Sequence, residues 1–483
     1  MITLRAMLSG THSTSPRFTQ SLCFFAAYFV LPNLPFWLAS GFLNLSRRGY
    51  IDIDYVVWGI SSLFLPRTFV ATGLCLSLFL DVFRTSASFY YFSQRDFLQS
   101  SVYLLQLPWH SLALIAIAVG LGLAAWITSI VKLAPAKNKV QDKSTLVAVS
   151  VVLILAFVGI DVISGSNRAF PMRDSRPAIK LANAASFTFA RVLQEAHSSS
   201  SRVAFQPVES ATAPLLRELR TPVAGSSSGA DEHNIVLVIA ESYGLMLDPA
   251  SAARLTSPYR DTELTRRFSV TLGEVKFHGS TVPAEFRELC GLGVGVTDHP
   301  DDLSKCLPTL FQRRGYQTTS FHGFTSHMFD RRTWYPQIGF TRSVFLEQMA
   351  QDPGMQHCPG VFTGICDADV ARRIGDRLVR HQEKLQFIYW LTLNSHLPVE
   401  RSAAAARELG CGSANAPVSD VDVCAWTALI LKVNSSVAAL ALRSGLPRTE
   451  FIVVGDHAPP FLAQKRRRLF SQDVVPYVRL MPK

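Results

Sequence analysis

The run NIVLVIA, residues 234–240, leads directly into Glu241 and Ser242. Ile235 through Ile239 are aliphatic without interruption, the pattern of a strand covered on both faces rather than one with a wet side. Similar runs recur at Gln386–Leu393 (QFIYWLTL) and Phe451–Val454 (FIVV), separated by helix-like stretches such as Asp367–Arg380. Buried strands alternating with helices predict an α/β domain with a largely parallel central sheet, beginning near residue 233 and running to residue 483. No internal repeat is visible.

Upstream the composition changes. The 483-residue chain has only 17% charged residues and a mean hydropathy of +0.20, too apolar for a wholly soluble protein. Phe18–Leu43 is an uncharged stretch long enough for a bilayer core of about 30 Å, with Pro32 and Pro35 predicting a kink. Tyr55–Phe83, broken at Pro66 and Arg67, reads either as two short spans or as one long tilted span. Leu112–Val131 and Leu146–Ile163 are clearer, although Asp161 lies near the end of the second. Lys132, Lys137, Lys139 and Lys143 crowd the loop between them, which marks that loop as cytoplasmic. The last helix then leads outward. A cytoplasmic N-terminus requires about five spans in residues 1–164; four spans with an outer N-terminus is the alternative. Residues 165–232 read as a connector, with helical character over Ala178–Ala196, serine clusters, and a flexible Gly225–Gly229 segment.

The formal charge of +11 is scattered, with no zinc-finger, RRM or helix-turn-helix signature, so nucleic acid is excluded as the partner and anionic lipid is the simpler one. Six of the eight cysteines (Cys290, Cys306, Cys358, Cys366, Cys411 and Cys424) lie in the C-terminal half, an even number suited to disulfides outside the cytoplasm. Sequence proximity favours Cys290–Cys306, Cys358–Cys366 and Cys411–Cys424. The absence of any CxxC pair argues against a structural zinc knuckle.

In open α/β sheets the chemistry sits at the carboxyl ends of strands. Those positions hold Glu241 and Ser242, His322, Asn394 and His396, and Gly455, Asp456 and His457. Carboxylates and imidazoles delivered to one edge suit a divalent metal. Singly each has a plainer reading: a glutamate after a strand is commonly a helix N-terminal charge, and a lone histidine a hydrogen bonder. Asp456–His457 is the stronger signal, because Gly455 permits the turn that lets both side chains reach one ion. HGSTVPAEFRELCG (His278–Gly291) supplies a hydroxyl, Thr281, just before a helix expected to start around Pro283. Thr281 could be only an N-cap, with Glu285 near capping-box spacing. The two roles are compatible, since a helix N-terminus also presents backbone N–H groups to a phosphate.

The ordered blocks ES (Glu241), G-x-T-x3-EF (Gly279–Phe286), SFHGFTSHMFDRRTWYPQIGF (Ser320–Phe340), LNSH (Leu393–His396) and GDH (Gly455–His457) resemble lipoteichoic acid synthase and the phosphoethanolamine and phosphoglycerol transferases of the alkaline-phosphatase-like (sulfatase) superfamily. The likeness spans the C-terminal domain. It implies a divalent metal, Zn2+ before Mn2+ or Mg2+, held by Glu241, Thr281, Asp456 and His457, with Thr281 the residue that becomes phosphorylated. It implies that His396 contacts substrate phosphate or protonates the leaving group, that Arg331 clamps phosphate and that Phe329 walls the headgroup; the synthases usually carry Trp at that position. His322 falls near the site without a role.

The expected enzyme is multi-pass in a bacterial inner membrane with its catalytic domain periplasmic. It transfers a phospho-headgroup, phosphoethanolamine before phosphoglycerol, from a phospholipid donor to an envelope glycan or glycolipid. Among rivals, an arylsulfatase needs Cys or Ser at the nucleophile and Arg where Glu285 stands, a phosphatase differs only in using water as acceptor, and a membrane scaffold or sensor would not need the intact Glu241, Thr281, Asp456 and His457 set. The basic run Lys465–Arg468 reads as a solvated loop, or as a contact for phospholipid or an anionic glycan.

Overall fold

A computed structural model describes residues 16–40, 49–89, 109–138, 140–163, 181–184, 186, 206–221, 232–293 and 303–483. The chain divides into two compact units, one formed by Met1–Phe89 with Ser101–Ser201 and the other by Tyr90–Ser100 with Arg202–Lys483. Lys139, most of the 178–196 stretch, the serine cluster near residue 200 and Gly225–Gly229 lie outside the described residues.

The first unit is helical. Helix α1 (Pro16–Phe25) runs through a π-helical turn, Ala26–Val30, and bends by 51° into α2 (Leu34–Ser40). The expected kink is therefore present. Asn33 stitches it: its Nδ2 donates to the Phe29 carbonyl at 2.7 Å and its Oδ1 accepts from the Asp52 amide at 3.1 Å. The ambiguous Tyr55–Phe83 run resolves into α3 (Ile53–Ser62) and α4 (Arg67–Phe89), because Pro66 cannot continue the first helix. At 1.5 Å per residue the ten residues of α3 are too short to cross a bilayer, whereas the 23 of α4 suffice. Helices α5 (Trp109–Leu133) and α6 (Lys143–Ile163) follow among the described residues. By length and composition α4, α6 and the bent α1–α2 pair can each span a membrane. Asp161 has a structural use: its carboxylate accepts from the Leu181 and Ala182 amides, both at 2.8 Å, while Asp54 accepts from the amide and hydroxyl of Ser186, both at 2.7 Å.

The second unit is built on a seven-stranded sheet. Its strands are β1 (Asn234–Ala240), β2 (Phe268–Lys276), β3 (Gln317–His322), β4 (Arg342–Val344), β5 (Gln386–Leu391), β6 (Thr449–Gly455) and β7 (Val474–Pro482), in the spatial order β2-β7-β6-β1-β5-β3-β4. Strands β6, β1, β5, β3 and β4 are mutually parallel; β7 runs antiparallel to β6, and β2 antiparallel to β7. Every residue of β1, β5 and β6 is buried, as their unbroken apolar runs require. The long apolar helix α10 (Val421–Ala441) is as long and apolar as a membrane span, yet it is 67% buried and its Val423, Trp426, Ile430, Val433 and Val437 join the core beside β1 and β6. The unit also takes in part of the expected connector: α7 (Ala213–Arg220) buries Leu215 and Leu216 in the same core, and Gln206–Pro207 pairs with Leu292–Gly293. Three disulfides, Cys290–Cys306, Cys358–Cys366 and Cys411–Cys424, follow the sequence-near pairing.

Candidate metal centre

Strand register assembles the site. Gly455 stands opposite Ala240 in the parallel β1–β6 pair, so the next residue on each strand, Asp456 and Glu241, emerges side by side at the carboxyl edge. Gly455 is required there, because a Cβ would lie 1.9 Å from the Tyr243 carbonyl oxygen. Opposite it, Ser242 adopts φ 55°, a left-handed conformation that L residues rarely take. Three hydrogen bonds hold it: its amide to Asp456 Oδ1 at 2.7 Å, its hydroxyl to Glu241 Oε1 at 2.9 Å, and its carbonyl from Trp426 Nε1 at 3.0 Å.

Helix α8 (Thr281–Cys290) brings the hydroxyl. Its start is two residues earlier than the sequence suggests: Ser280 is the N-cap position and Thr281 the first helical residue, so the capping reading of Thr281 does not hold. Thr281 Oγ1 instead lies 3.1 Å from Glu241 Oε2 and 3.1 Å from Asp456 Oδ2. His457 Nε2 is 3.3 Å from Asp456 Oδ2 and 3.7 Å from Glu241 Oε1. Its Nδ1 is 3.0 Å from the Ala458 carbonyl, which can only accept, so the proton sits on Nδ1 and the Nε2 lone pair faces the carboxylates. Glu241, Asp456 and His457 each bring a ligand atom within 4.8 Å of the others.

The electrostatics fit a cation. Burial and the neighbouring Glu241 charge push the Asp456 carboxyl well above the usual carboxylate range. Burial also acts to raise Glu241, but His396 and His457 outweigh it and hold that carboxyl below its ordinary value. Burial lowers His457, against the pull of Glu241, and favours the neutral imidazole a metal takes as ligand. Two buried carboxylates facing one neutral imidazole leave a negative excess that a divalent ion would neutralise, and the oxygen–nitrogen donor set suits zinc or manganese.

Residues 233–471 match the family model described as Sulfatase. The C-terminal unit is a sulfatase-family domain. Among solved structures, the integral membrane lipooligosaccharide phosphoethanolamine transferase A from Neisseria meningitidis is 14% identical with a TM-score of 0.52, over 96% of this chain and 88% of that one. That likeness extends the shared fold across the membrane unit. The Streptococcus pyogenes phosphoglycerol transferase GacH in complex with sn-glycerol-1-phosphate is 15% identical with a TM-score of 0.40, covering 52% of this chain and 69% of that one. The C-terminal periplasmic domain of EcEptC from Escherichia coli in complex with Zn is 14% identical with a TM-score of 0.39, covering 54% and 75%. No curated protein matches the chain.

The remaining candidates of this sulfatase-family domain are placed differently. His396 follows β5, packs its ring edge-on against Phe362 at 4.7 Å, and buries an Nδ1 that finds no hydrogen-bond partner among the described residues. Burial lowers it, while Glu241 pulls it back up. His322 ends β3 with Nδ1 3.1 Å from the Leu391 carbonyl; burial, then Arg331, push it down to about 3, so it stays neutral. Neither joins the three-ligand cluster.

Arg331 departs from the phosphate-clamp expectation. It is 2% exposed, its Nη2 lies 2.9 Å from Glu285 Oε2, and Nε is 3.2 Å from the same oxygen. Glu285, also fully buried, further accepts from the Tyr335 and Tyr389 hydroxyls. The guanidinium is therefore engaged within the protein, and Phe329, with its ring centre 5.2 Å away, packs over it.

Two residues that hold the backbone beside the site were not singled out in the sequence. Buried Arg287 on α8 donates to the carbonyls of Gly455 at 2.6 Å and Asp456 at 3.2 Å. Asp367, the first residue of α9 (Asp367–Arg380), accepts from the amides of Leu393 (3.0 Å) and Asn394 (2.9 Å) and so holds the turn leading to His396. An arginine in a helix and an acid in a first turn are both too common to stand out.

Proposed function

We propose that this protein transfers a phospho-headgroup, phosphoethanolamine in the first instance, from a phospholipid through a phospho-Thr281 intermediate to an envelope glycan or glycolipid. The observation that carries this reading is the position of Thr281 Oγ1, 3.1 Å from carboxylate oxygens of both Glu241 and Asp456 at the start of a helix. Glu241, Asp456 and His457, with Thr281, would hold a divalent ion, zinc by preference. When bound, such an ion lowers the hydroxyl pKa and neutralises charge at phosphorus.

The chain's own groups supply the rest. A carboxylate of the pair takes the Thr281 proton as Oγ1 forms its bond to phosphorus and the bond to the diacylglycerol oxygen breaks. His396 delivers a proton to that departing oxygen. The first amides of α8 face the phosphoryl oxygens and stabilise the charge they develop. In the second half an acceptor hydroxyl attacks phosphorus and gives its proton to His396, the bond between phosphorus and Oγ1 breaks, and Thr281 recovers the proton held by the carboxylate. Residues 1–164 form the membrane anchor, with about five spans and the catalytic unit periplasmic, as the Lys-rich loop between α5 and α6 supports. The periplasm also suits the three disulfides.

The test is intact-mass and peptide mass spectrometry of the full-length protein incubated with phosphatidylethanolamine or phosphatidylglycerol. The mass added at Thr281 identifies the headgroup. No adduct with either lipid, in protein that binds zinc, would sink the reading. A reporter fused after Lys483 that is active in the cytoplasm would sink the topology.

A further inference from the structure

Beyond the metal-binding turn the chain makes a short excursion through the basic helix Gln464–Arg467 and returns at Phe470. Phe461 and Phe470 turn inward at its two ends, and their ring centres stack at 5.9 Å. Arg467 fastens it from below, its Nε donating to the Phe461 carbonyl at 2.7 Å. The residues next to these anchors point the other way: Leu462 is 59% exposed and Leu469 40%. A third joins them. Met246 bridges Phe470 and is buried, while Leu247 donates its amide to the Leu469 carbonyl at 2.9 Å and is 59% exposed. A single exposed leucine is ordinary; three turned outward on one rim by the same buried anchors form an apolar surface that water does not favour.

Basic residues outnumber acids on the rim. Arg466 is neutralised by Asp420, at 2.8 Å, and by Asp422. Lys465 and Arg468 are exposed and have no ion-pair partner among the described residues. The adjacent acid, Asp248, is turned to its own helix, where it accepts from the Ser251 amide at 2.8 Å.

We propose that Leu247, Leu462 and Leu469, with Lys465 and Arg468, form a leaflet-contact surface for an anionic phospholipid membrane. The leucines enter the boundary between headgroups and acyl chains, and the two cations meet lipid phosphates. Lipid is the occupant because the chain carries its own membrane helices, which keep the rim at high effective concentration beside a leaflet, and because unpaired positive charge beside apolar side chains matches that interface. The contact stands whether or not the proposed transfer is correct. If transfer is correct, the rim delivers a lipid phosphate to the turn bearing Asp456 and His457, from which it continues in sequence.

The experiment uses the full-length protein in nanodiscs, with a photo-crosslinking benzoylphenylalanine replacing Leu462 or Leu469, and Leu272, 51% exposed on edge strand β2, as control. Chelator is present throughout, so no result depends on turnover. Discs containing phosphatidylglycerol should give lipid adducts at 462 and 469 well above those at 272. The yield should fall roughly tenfold or more when phosphatidylcholine alone is used, or when Lys465→Glu and Arg468→Glu are combined. The lipid comparison needs no charge variant, so it stands if that variant misfolds. Adducts no more frequent than at 272, crosslinks to a second protein copy in place of lipid, or a yield indifferent to phosphatidylglycerol would overturn the proposal.

Discussion

Arg287 and Gly455 are joined by a 2.6 Å hydrogen bond from Nη2 to the glycine carbonyl, so the helix that begins with Thr281 also grips the turn that presents Asp456 and His457. The other side of the guanidinium meets Glu288 at 2.6 Å, and Glu288 in turn accepts from the Thr212 amide at 3.1 Å. The helix bearing Thr281 and the turn bearing Asp456 and His457 are thus tied together by one buried arginine.

Arg287→Met should therefore leave Glu288 buried and unpaired and the turn carbonyls unsatisfied. The expected loss is about 3–5 kcal/mol of stability. Zinc affinity should fall with it, because the Asp456 backbone is released. Arg287→Lys keeps the charge but not the planar fork, so it should rescue only partly. Thermal unfolding and zinc titration of the same preparations check this, and unchanged zinc binding in a folded Arg287→Met protein would contradict it.

Thr281→Ala should abolish transfer and the covalent adduct while changing stability by no more than about 1 kcal/mol, since the hydroxyl caps no helix amide. Zinc binding should largely remain, with Glu241, Asp456 and His457 intact. Asp456→Asn and His457→Ala should lose metal and activity together. Turnover, adduct mass and zinc stoichiometry, measured on one preparation of each variant, separate the two behaviours.

Arg331 and Glu285 make a buried pair, 2% and 0% exposed at their side chains. Arg331→Ala should cost about 3–5 kcal/mol by stranding Glu285, and the double change with Glu285→Leu should recover part of that loss. A residue acting only as a phosphate clamp would raise KM without moving the melting temperature. The combination of KM and Tm decides between these roles.

Asp367 offers a pH test. Burial, opposed by the Leu393 and Asn394 amides and aided by Glu241, pushes its carboxyl up to about 7 from 3.8. The folded protein therefore keeps this proton where the unfolded chain has released it. Sign follows directly: the penalty is absent below pH about 4, grows as pH rises, and is complete above about 7, amounting to roughly 4 kcal/mol in metal-free protein. Urea unfolding across that window in chelator should show stability falling with pH. Asp367→Asn should flatten the slope, and an unchanged slope would remove Asp367 as its source.

The sequence by itself determined the strands that are buried on both faces, because β1, β5 and β6 must read as unbroken apolar runs, and the residues that leave their carboxyl ends. It favoured the sequence-near cysteine pairs without selecting them, and the folded structure makes that selection. Where packing outweighs local pattern, only the tertiary structure decided. The apolar run of α10 could equally have crossed a membrane; burial against the sheet distinguishes it. Glu285 sits one residue beyond capping-box spacing from Thr281, and the buried guanidinium of Arg331 claims it, since an unpaired charge in the core costs more than a cap returns. The meeting of Glu241 with Asp456, 215 positions apart by 456 − 241, depends on the Ala240–Gly455 register, which is a property of the assembled sheet and of neither strand alone.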